Sequence, residues 1–328
     1  MGVRIVGLGK YLPDRVVTND EIAKMVDTDH NWIVERTGIE QRHVAVTETG
    51  TDLACAAAEE ALQGIDRSSI GLVLVATATP DDIVPVTGAQ VKCRLGLEHA
   101  AAFDLNAACS GFLYGIWTAE ALMKNGAAPE SNSMEIKRAL VIGAERLSRI
   151  VNWEDRASCV LFGDGAGAAV LEYDAKQPGI LSTYVKNYDD RQGVLTCGKE
   201  YRETPFGKDP AKVQQLALKG NAVYRFAVNA IEEVTMAAVD KAGLNLEDID
   251  WFVPHQANGR IMAAAAQRLK QPIEKFQISI RTNANVSAAS VPMALYDLVK
   301  TGKIKKGDKI AMVGFGGGLC AAAAVVQW

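Results

Sequence analysis

Short apolar runs alternate along this chain with longer amphipathic segments. Val3 to Leu8, Gly71 to Ala78, Ala101 to Asn106, Ala139 to Gly143 and Ala168 to Tyr173 are strand-like runs bounded by turn residues. Between them DLACAAAEEALQG, from Asp52, and VTGAQVKCRLG, from Val86, space their apolar positions as helices do. A second series follows: the helix AVYRFAVNAIEEVTMAAVDKAG, the strand IDWFVPH, the helix GRIMAAAAQRLK and the closing strands KIAMVGFG and LCAAAAVVQW. Such alternation predicts α/β layers.

The second series repeats the first. GIDRSSIGLVLVAT, from Gly64, aligns without gaps to GLNLEDIDWFVPHQ, from Gly243; in both, a helix ends at Gly, a short polar link follows, and an Ile opens a strand. GDGAGAAVLEY, from Gly163, resembles GFGGGLCAAAAVVQ, from Gly314. The pattern predicts a duplicated pair of βα halves, residues 1–175 and 176–328, divided at DAKQPG where Pro178 breaks the periodicity. GAAPESNSMEIK, from Gly126, and NYDDRQGVLTCGKEYRETPFGKDP, from Asn187, read as surface excursions. A polar loop as long as the second is expected to lie over a binding site.

Composition narrows the function. With 328 residues, 48% of them hydrophobic and 23% charged, the chain can build more than one core-forming unit. A net charge of −4 argues against wholesale nucleic-acid binding, so an anionic partner must meet a local basic patch. No uninterrupted apolar run is long enough to span a membrane, and the N-terminal segment has no signal-peptide pattern. The six cysteines form no CxxC pair and the four histidines complete no metal-ligand spacing, so the expected setting is a reducing cytoplasm and no metal is expected.

Four segments carry chemistry. Cys109, in NAACSGF, lies where a strand run meets a helix run; a helix N-terminus favours a thiolate and predicts a lowered thiol pKa. His255, in PHQANGRI, follows the strand IDWFV, and Asn285, in RTNANVSAASVP, precedes another helix. Both are at chain positions that in α/β sheets gather where ligands bind. FGGG, Phe315 to Gly318, lets backbone N–H groups approach a ligand, but it has neither the Walker Lys nor a GxGxxG spacing, so an oxyanion contact fits it better than a phosphate. Taken singly, Cys109 also reads as a core cysteine, His255 as a backbone-satisfied core histidine, Asn285 as a cap, and FGGG as a tight turn.

In this order NAACSGF, HQANGRI, NVSAASVP and GFGGG resemble the active-site segments of β-ketoacyl-acyl-carrier-protein synthase III, the thiolase-superfamily enzyme that initiates fatty-acid synthesis. WIVERTGIEQRH, from Trp32, and LFGDGAGAAVL, from Leu161, extend the resemblance over nearly the whole chain. It implies a thiolase-like α/β fold, two duplicated βα halves layered α/β/α/β/α. It implies that Cys109 is acylated by an acyl-CoA primer and discharged by decarboxylated malonyl-acyl-carrier protein, with His255 and Asn285 stabilising the enolate and Gly317 an oxyanion. CoA enters as a thioester substrate, and no resident cofactor is implied. Trp32 is similar to the family tryptophan that stacks on adenine and Arg156 to the arginine on its other face. Thr28, Arg36, Gly220, Asn221, Tyr224 and Asn258 match neighbouring CoA contacts, Tyr224 replacing a usual Phe. Arg260 and Arg268 can share one face of a helix and are the implied carrier-protein docking residues. A cytoplasmic homodimer without nucleic-acid or membrane partners is implied as well.

The chain departs from the family in two further places. Leu319, Cys320, Ala321 and Ala322 replace an aromatic or Leu followed by Thr, Trp and Gly. Val84 stands where some members place a Phe that closes the acyl pocket across the dimer interface, which implies room for longer or branched primers. Three rival readings stand beside this one. A papain-like cysteine hydrolase shares the order Cys, His, Asn, although CGSCW is absent. A synthase III-like acyltransferase or polyketide-starter enzyme of secondary metabolism keeps the fold, and a non-catalytic acyl-CoA-binding protein would leave the triad idle.

Overall fold

The structure, a computed structural model, describes residues 2–128, 134–198, 205–207 and 215–328. Two sheets organise it. The first contains β1 (Gly2–Tyr11), β2 (Ile70–Ala76), β3 (Ala101–Leu105), β4 (Arg138–Arg146) and β5 (Asp164–Asp174) in the order β1-β5-β4-β2-β3. The second contains β6 (Ile180–Asn187), β7 (Trp251–Pro254), β8 (Lys309–Gly316) and β9 (Cys320–Gln327) in the order β7-β8-β9-β6.

Pairing repeats from one sheet to the other. β1 and β5, then β5 and β4, are antiparallel and β4 and β2 parallel, just as β6 and β9, then β9 and β8, are antiparallel and β8 and β7 parallel. β3 adds a parallel edge to β2; at the equivalent place beside β7 there is an isolated parallel bridge between Phe252 and Phe276. The two segments that align without gaps also share local structure. Gly64 and Gly243 have φ of 74° and 71°, and 3-10 turns at Arg67–Ser69 and Leu246–Asp248 precede β2 and β7.

Helices cover both faces of both sheets. α1 (His30–Thr37), α2 (Gly50–Ala61), α3 (Thr87–Arg94), α4 (Gly111–Gly126), α5 (Gly220–Lys241), α6 (Gly259–Arg268) and α7 (Ser290–Lys300) are the longer ones. Phe112 and Ile116 of α4 and Leu295 and Leu298 of α7 share one buried cluster with Leu74 of the first sheet and Met312 of the second. These two helices are therefore the middle layer. α2 and α3 pack on the outer face of the first sheet, α5 and α6 on that of the second. The result is a thiolase-like α/β/α/β/α stack. Burial on both faces explains why VLVA in β2 and AAAAVV in β9 are continuous rather than alternating.

Helix and strand ends follow local chemistry. α2 starts two residues before the expected segment because Thr49 and Asp52 form a capping box. β4 runs past Gly143 to Arg146, its last residues still paired with Gly165 and Asp164 of β5. Of the two excursions, residues 129–133, 199–204 and 208–210 lie outside the described residues, while Leu195–Thr196 pairs with Ala217–Leu218. Among the described residues no helix is long and apolar enough to cross a membrane, and no cluster of three His, Cys, Asp or Glu could hold a metal.

Candidate active site

β3 runs into a 3-10 turn, Ala108–Ser110, and then α4, which places Cys109 at the head of the middle layer, 8% exposed. The turn is sharp. Ala108 has φ +44°, a left-handed value costly for a residue with a Cβ, and it is held by its N–H donating to Asn106 Oδ1 at 3.0 Å. Gly316, at the end of β8, comes so close that a Cβ there would be 2.7 Å from the Cys109 backbone nitrogen. Burial pushes the Cys109 thiol up to about 12, the Ser287 hydroxyl opposing the rise and the Glu145 charge adding to it. The lowered pKa expected from the helix terminus is thus not found: desolvation outweighs it, and the resting sulfur is a thiol.

His255 follows β7 directly and is 1% exposed. Its N–H donates to Val313 O at 2.7 Å, and its ring meets Phe315 edge-on with centroids 5.1 Å apart. Burial pushes its pKa down to about 3, so the imidazole is neutral, with Nδ1 buried and without a protein partner. Next to it, Gln256 satisfies its whole amide: Nε2 donates to Pro254 O and Gln277 O, and Oε1 accepts from the N–H groups of Ser279 and Ile280. This ties the end of β7 to the segment leading to Asn285.

Asn285 is fixed on three sides. Its N–H donates to Leu161 O, its carbonyl accepts from Gly163 N–H, and its side-chain oxygen accepts from Ser287 N–H at 2.9 Å. The amide NH2 is then the group it can offer to the cavity. Gly143 of β4 makes room for this turn, since a Cβ there would lie 2.3 Å from Ala288 O.

Cys109, His255 and Asn285 line one cavity of about 460 Å³, together with Phe162, Phe315 and Gly316. Its outer part is lined by Trp32, Arg36, Arg156, Gly220, Asn221, Tyr224, Asn258 and Arg260. The Arg156 guanidinium lies 4.8 Å and that of Arg36 5.9 Å from the Trp32 ring centroid. Asp29 caps α1 by accepting from Trp32 N–H, and Asn258 caps α6 while its Nδ2 donates to Arg36 O. These caps hold the indole and both helix ends.

The remaining expected residues lie elsewhere. Thr28 is outside the lining, its hydroxyl buried without a partner. Gly317 lines a second cavity of about 840 Å³, which also reaches Cys109 and contains Tyr114, Ile150, Leu195, Ser287 and Cys320. Val84 is 83% exposed and lines neither cavity. On α6 Arg260 is exposed with its Nε donating to Glu35 O, whereas Arg268 pairs with Glu232 at 3.0 Å and with Asn229. The basic face is thus partly neutralised.

Two buried polar residues beside Cys109 were missed from sequence. Glu145 is fully buried at the end of β4, and Ser287 is 3% exposed with φ +44°. The available signals were an acid inside the apolar run ALVIGAE and a serine beside Asn285.

Comparison with known proteins follows the same outline. The family model described as 3-oxoacyl-acyl-carrier-protein synthase III matches residues 103–188, and the model of its C-terminal part matches residues 239–328. A β-ketoacyl-acyl-carrier-protein synthase III of Clostridium beijerinckii is 43% identical over 99% of both chains. The crystal structure of 3-oxoacyl-acyl-carrier-protein synthase III from Aquifex aeolicus superposes with a TM-score of 0.90 at 39% identity, covering 100% of both chains. A priming β-ketosynthase from the R1128 polyketide biosynthetic pathway superposes at 0.89 with 33% identity, over 99% of this chain and 96% of that one.

Proposed function

This chain belongs to the 3-oxoacyl-acyl-carrier-protein synthase III family, and on that premise we propose that it condenses an acyl-CoA primer with malonyl-acyl-carrier protein through a Cys109 thioester, starting fatty-acid synthesis. The observation that carries the reading is the convergence of Cys109, His255 and Asn285 on a cavity whose outer wall holds Trp32 against Arg156. The curated relatives at 43% identity favour this role over a polyketide starter, whose structural relative is 33% identical, and the layered fold disfavours a papain-like hydrolase.

Each residue type suits its step. The Cys109 sulfur forms a bond to the primer carbonyl as the CoA thiol leaves, so one difficult condensation becomes two transfers. When malonyl-carrier protein loses carbon dioxide, the electron pair of the broken C–C bond develops as an enolate oxygen. Neutral His255, as the Nε2–H tautomer, and the Asn285 amide each donate to that oxygen. The enolate carbon attacks the acyl group, and the N–H groups of Cys109 and Gly317 donate to the resulting oxyanion.

Binding follows from the outer cavity. Trp32, Arg36 and Arg156 receive the adenine and phosphates of CoA, and Gly220, Asn221, Tyr224 and Asn258 line the path inward; Thr28 supplies its unpartnered hydroxyl nearby. The acyl chain occupies the second cavity on the far side of Cys109. Arg260, with Arg268 in a lesser part, meets the acidic carrier protein. A homodimer forms along the open edge of β3, where Ala101 and Phe103 are exposed, and brings Val84 to the partner's acyl pocket.

Intact-mass measurement across an acyl-CoA series tests the reading, with Cys109→Ala as control and malonyl-carrier protein added last. An acyl adduct lost with Cys109 and discharged as β-ketoacyl product is expected. No adduct on the wild-type chain would overturn it.

A further inference from the structure

We propose that Glu145 is a positioning residue for acyl transfer: acting through the Ser287 hydroxyl, it takes up the proton that Cys109 must lose. The proposal rests on the synthase reading, and it supplies what the triad lacks, a base for the nucleophile. A separate acceptor leaves His255 with the Nε2–H that the later enolate step uses.

The geometry is a buried, hydrogen-bonded pair, Glu145 and Ser287, beside Cys109. Glu145, 0% exposed, sits where the ends of β2 and β4 meet the turn Ser287–Ala289. Its carboxylate accepts from Ala78 N–H at 3.1 Å, from Thr79 Oγ1 at 2.7 Å and from Ser287 Oγ at 2.9 Å. Ser287 and Cys109 line the same cavity, the turns that carry them, Ala108–Ser110 and Ser287–Ala289, pack on one another, and the Ser287 hydroxyl opposes the rise of the Cys109 thiol. Ser287 is held at its left-handed φ by the N–H bond to Asn285 and the hydroxyl bond to Glu145. A strained residue kept by two functional partners is a sign of use rather than of packing.

A carboxylate this deep is costly unless it has work or a counter-charge. The groups facing it are neutral Thr77, Ala78 and Thr79 from the end of β2, Ser287 and Ala288 from the turn, and the titratable Cys109. Arg146, next in the chain, acts instead on Asp164 and Glu48. Burial pushes Glu145 up to about 7, where a base for work near neutrality is best placed.

The step balances. The S–H proton passes to Ser287 Oγ as the Oγ proton passes to Glu145 Oε1, and the sulfur electron pair forms the new S–C bond. The primer C–S bond breaks, its electron pair leaves on the CoA sulfur, and the relay returns the proton to that sulfur. Ser287 ends as it began.

Single-turnover acylation of Cys109 by acetyl-CoA and butyryl-CoA, read by mass over a pH series, tests this in the wild type, Glu145→Gln and Ser287→Ala. Wild-type acylation should fall as pH drops through about 7, because the acceptor must be ionised. Both variants should be slower by about 10²-fold and lack that limb, their residual rate climbing as the thiol itself ionises. A folded Glu145→Gln that keeps the limb near pH 7 overturns the relay whatever its absolute rate. If that variant does not fold, Ser287→Ala decides, and a wild-type rate with the same limb overturns the relay. Absence of acylation in the wild type would instead sink the synthase reading.

Discussion

Arg156 lays its guanidinium over the Trp32 indole, 4.8 Å from the ring centroid, and is pinned there by donating to Asp27 O at 2.8 Å. The two are in direct cation–π contact at the cavity mouth. Cation–π and stacking contacts of this kind are worth about 1–2 kcal/mol, so Trp32→Ala should raise KM for acyl-CoA roughly tenfold with kcat little changed. An acyl thioester of N-acetylcysteamine, which has no adenine, should not distinguish the variant from wild type. Equal losses with both donors would remove Trp32 from adenine binding.

Asn285→Ala should separate the two half-reactions. In the proposed mechanism its amide donates only to the enolate, so malonyl decarboxylation should fall by about 10²–10³-fold while Cys109 acylation proceeds. Release of carbon dioxide from malonyl-carrier protein reads the first and intact mass the second. Normal decarboxylation would refute the assignment.

Gly316→Ala should disable the nucleophile without unfolding the chain. The new methyl would lie 2.7 Å from the Cys109 nitrogen and 3.2 Å from its Cβ, so the nucleophile turn has to move. Displacement of a reacting group by about 1 Å costs about 10²-fold. Acylation at that level, beside an unchanged far-ultraviolet spectrum, is the expected pair of results.

Acid should destabilise the protein through His255. Its folded pKa, about 3, is below the unfolded value near 6.5, so the unfolded chain binds the extra proton and stability falls as pH falls across that window. Glu145 acts the other way: raised to about 7, it binds its proton more readily when folded and offsets His255 between about 4.5 and 6.5. The acid loss should therefore emerge below about pH 4.5. In urea titrations, the stability of His255→Gln relative to wild type should rise by about 1.4 kcal/mol per pH unit on going from pH 6.5 to 3. A pH-independent difference would contradict the buried neutral imidazole.

Charge reversal on α6 should be unequal. Arg268 already pairs with Glu232 and Asn229, whereas Arg260 only donates to a backbone carbonyl. Arg260→Glu should raise KM for malonyl-carrier protein more than Arg268→Glu does, and raised salt should narrow the gap. Equal effects would argue that both guanidiniums meet the partner.

Much of this was legible because backbone chemistry left marks in the residues. The aligned segments at Gly64 and Gly243 announced equivalent turns and strands, and continuous apolar runs announced strands covered on both faces. Cys109, His255 and Asn285 stood out as reactive types at the ends of apolar runs. What could not be read was desolvation. The charge state of a thiol depends on how much water its neighbours exclude, and those neighbours, Gly316, Ser287 and Glu145, come from far along the chain. The partners of Arg268 could not be read for a related reason: Asn229 and Glu232 belong to α5.

The middle layer joins parts that depend on one another. Cys109 immediately precedes α4, while Asn285 and Ser287 lead into α7, and Phe112, Ile116, Leu295 and Leu298 of the two helices belong to one buried cluster. That shared apolar cluster sets the spacing between Cys109 and the turn that carries Asn285 and Ser287. Trimming it, for instance by Leu295→Ala, would detune turnover at temperatures where the chain is still folded, which makes catalysis a finer gauge of core packing than melting.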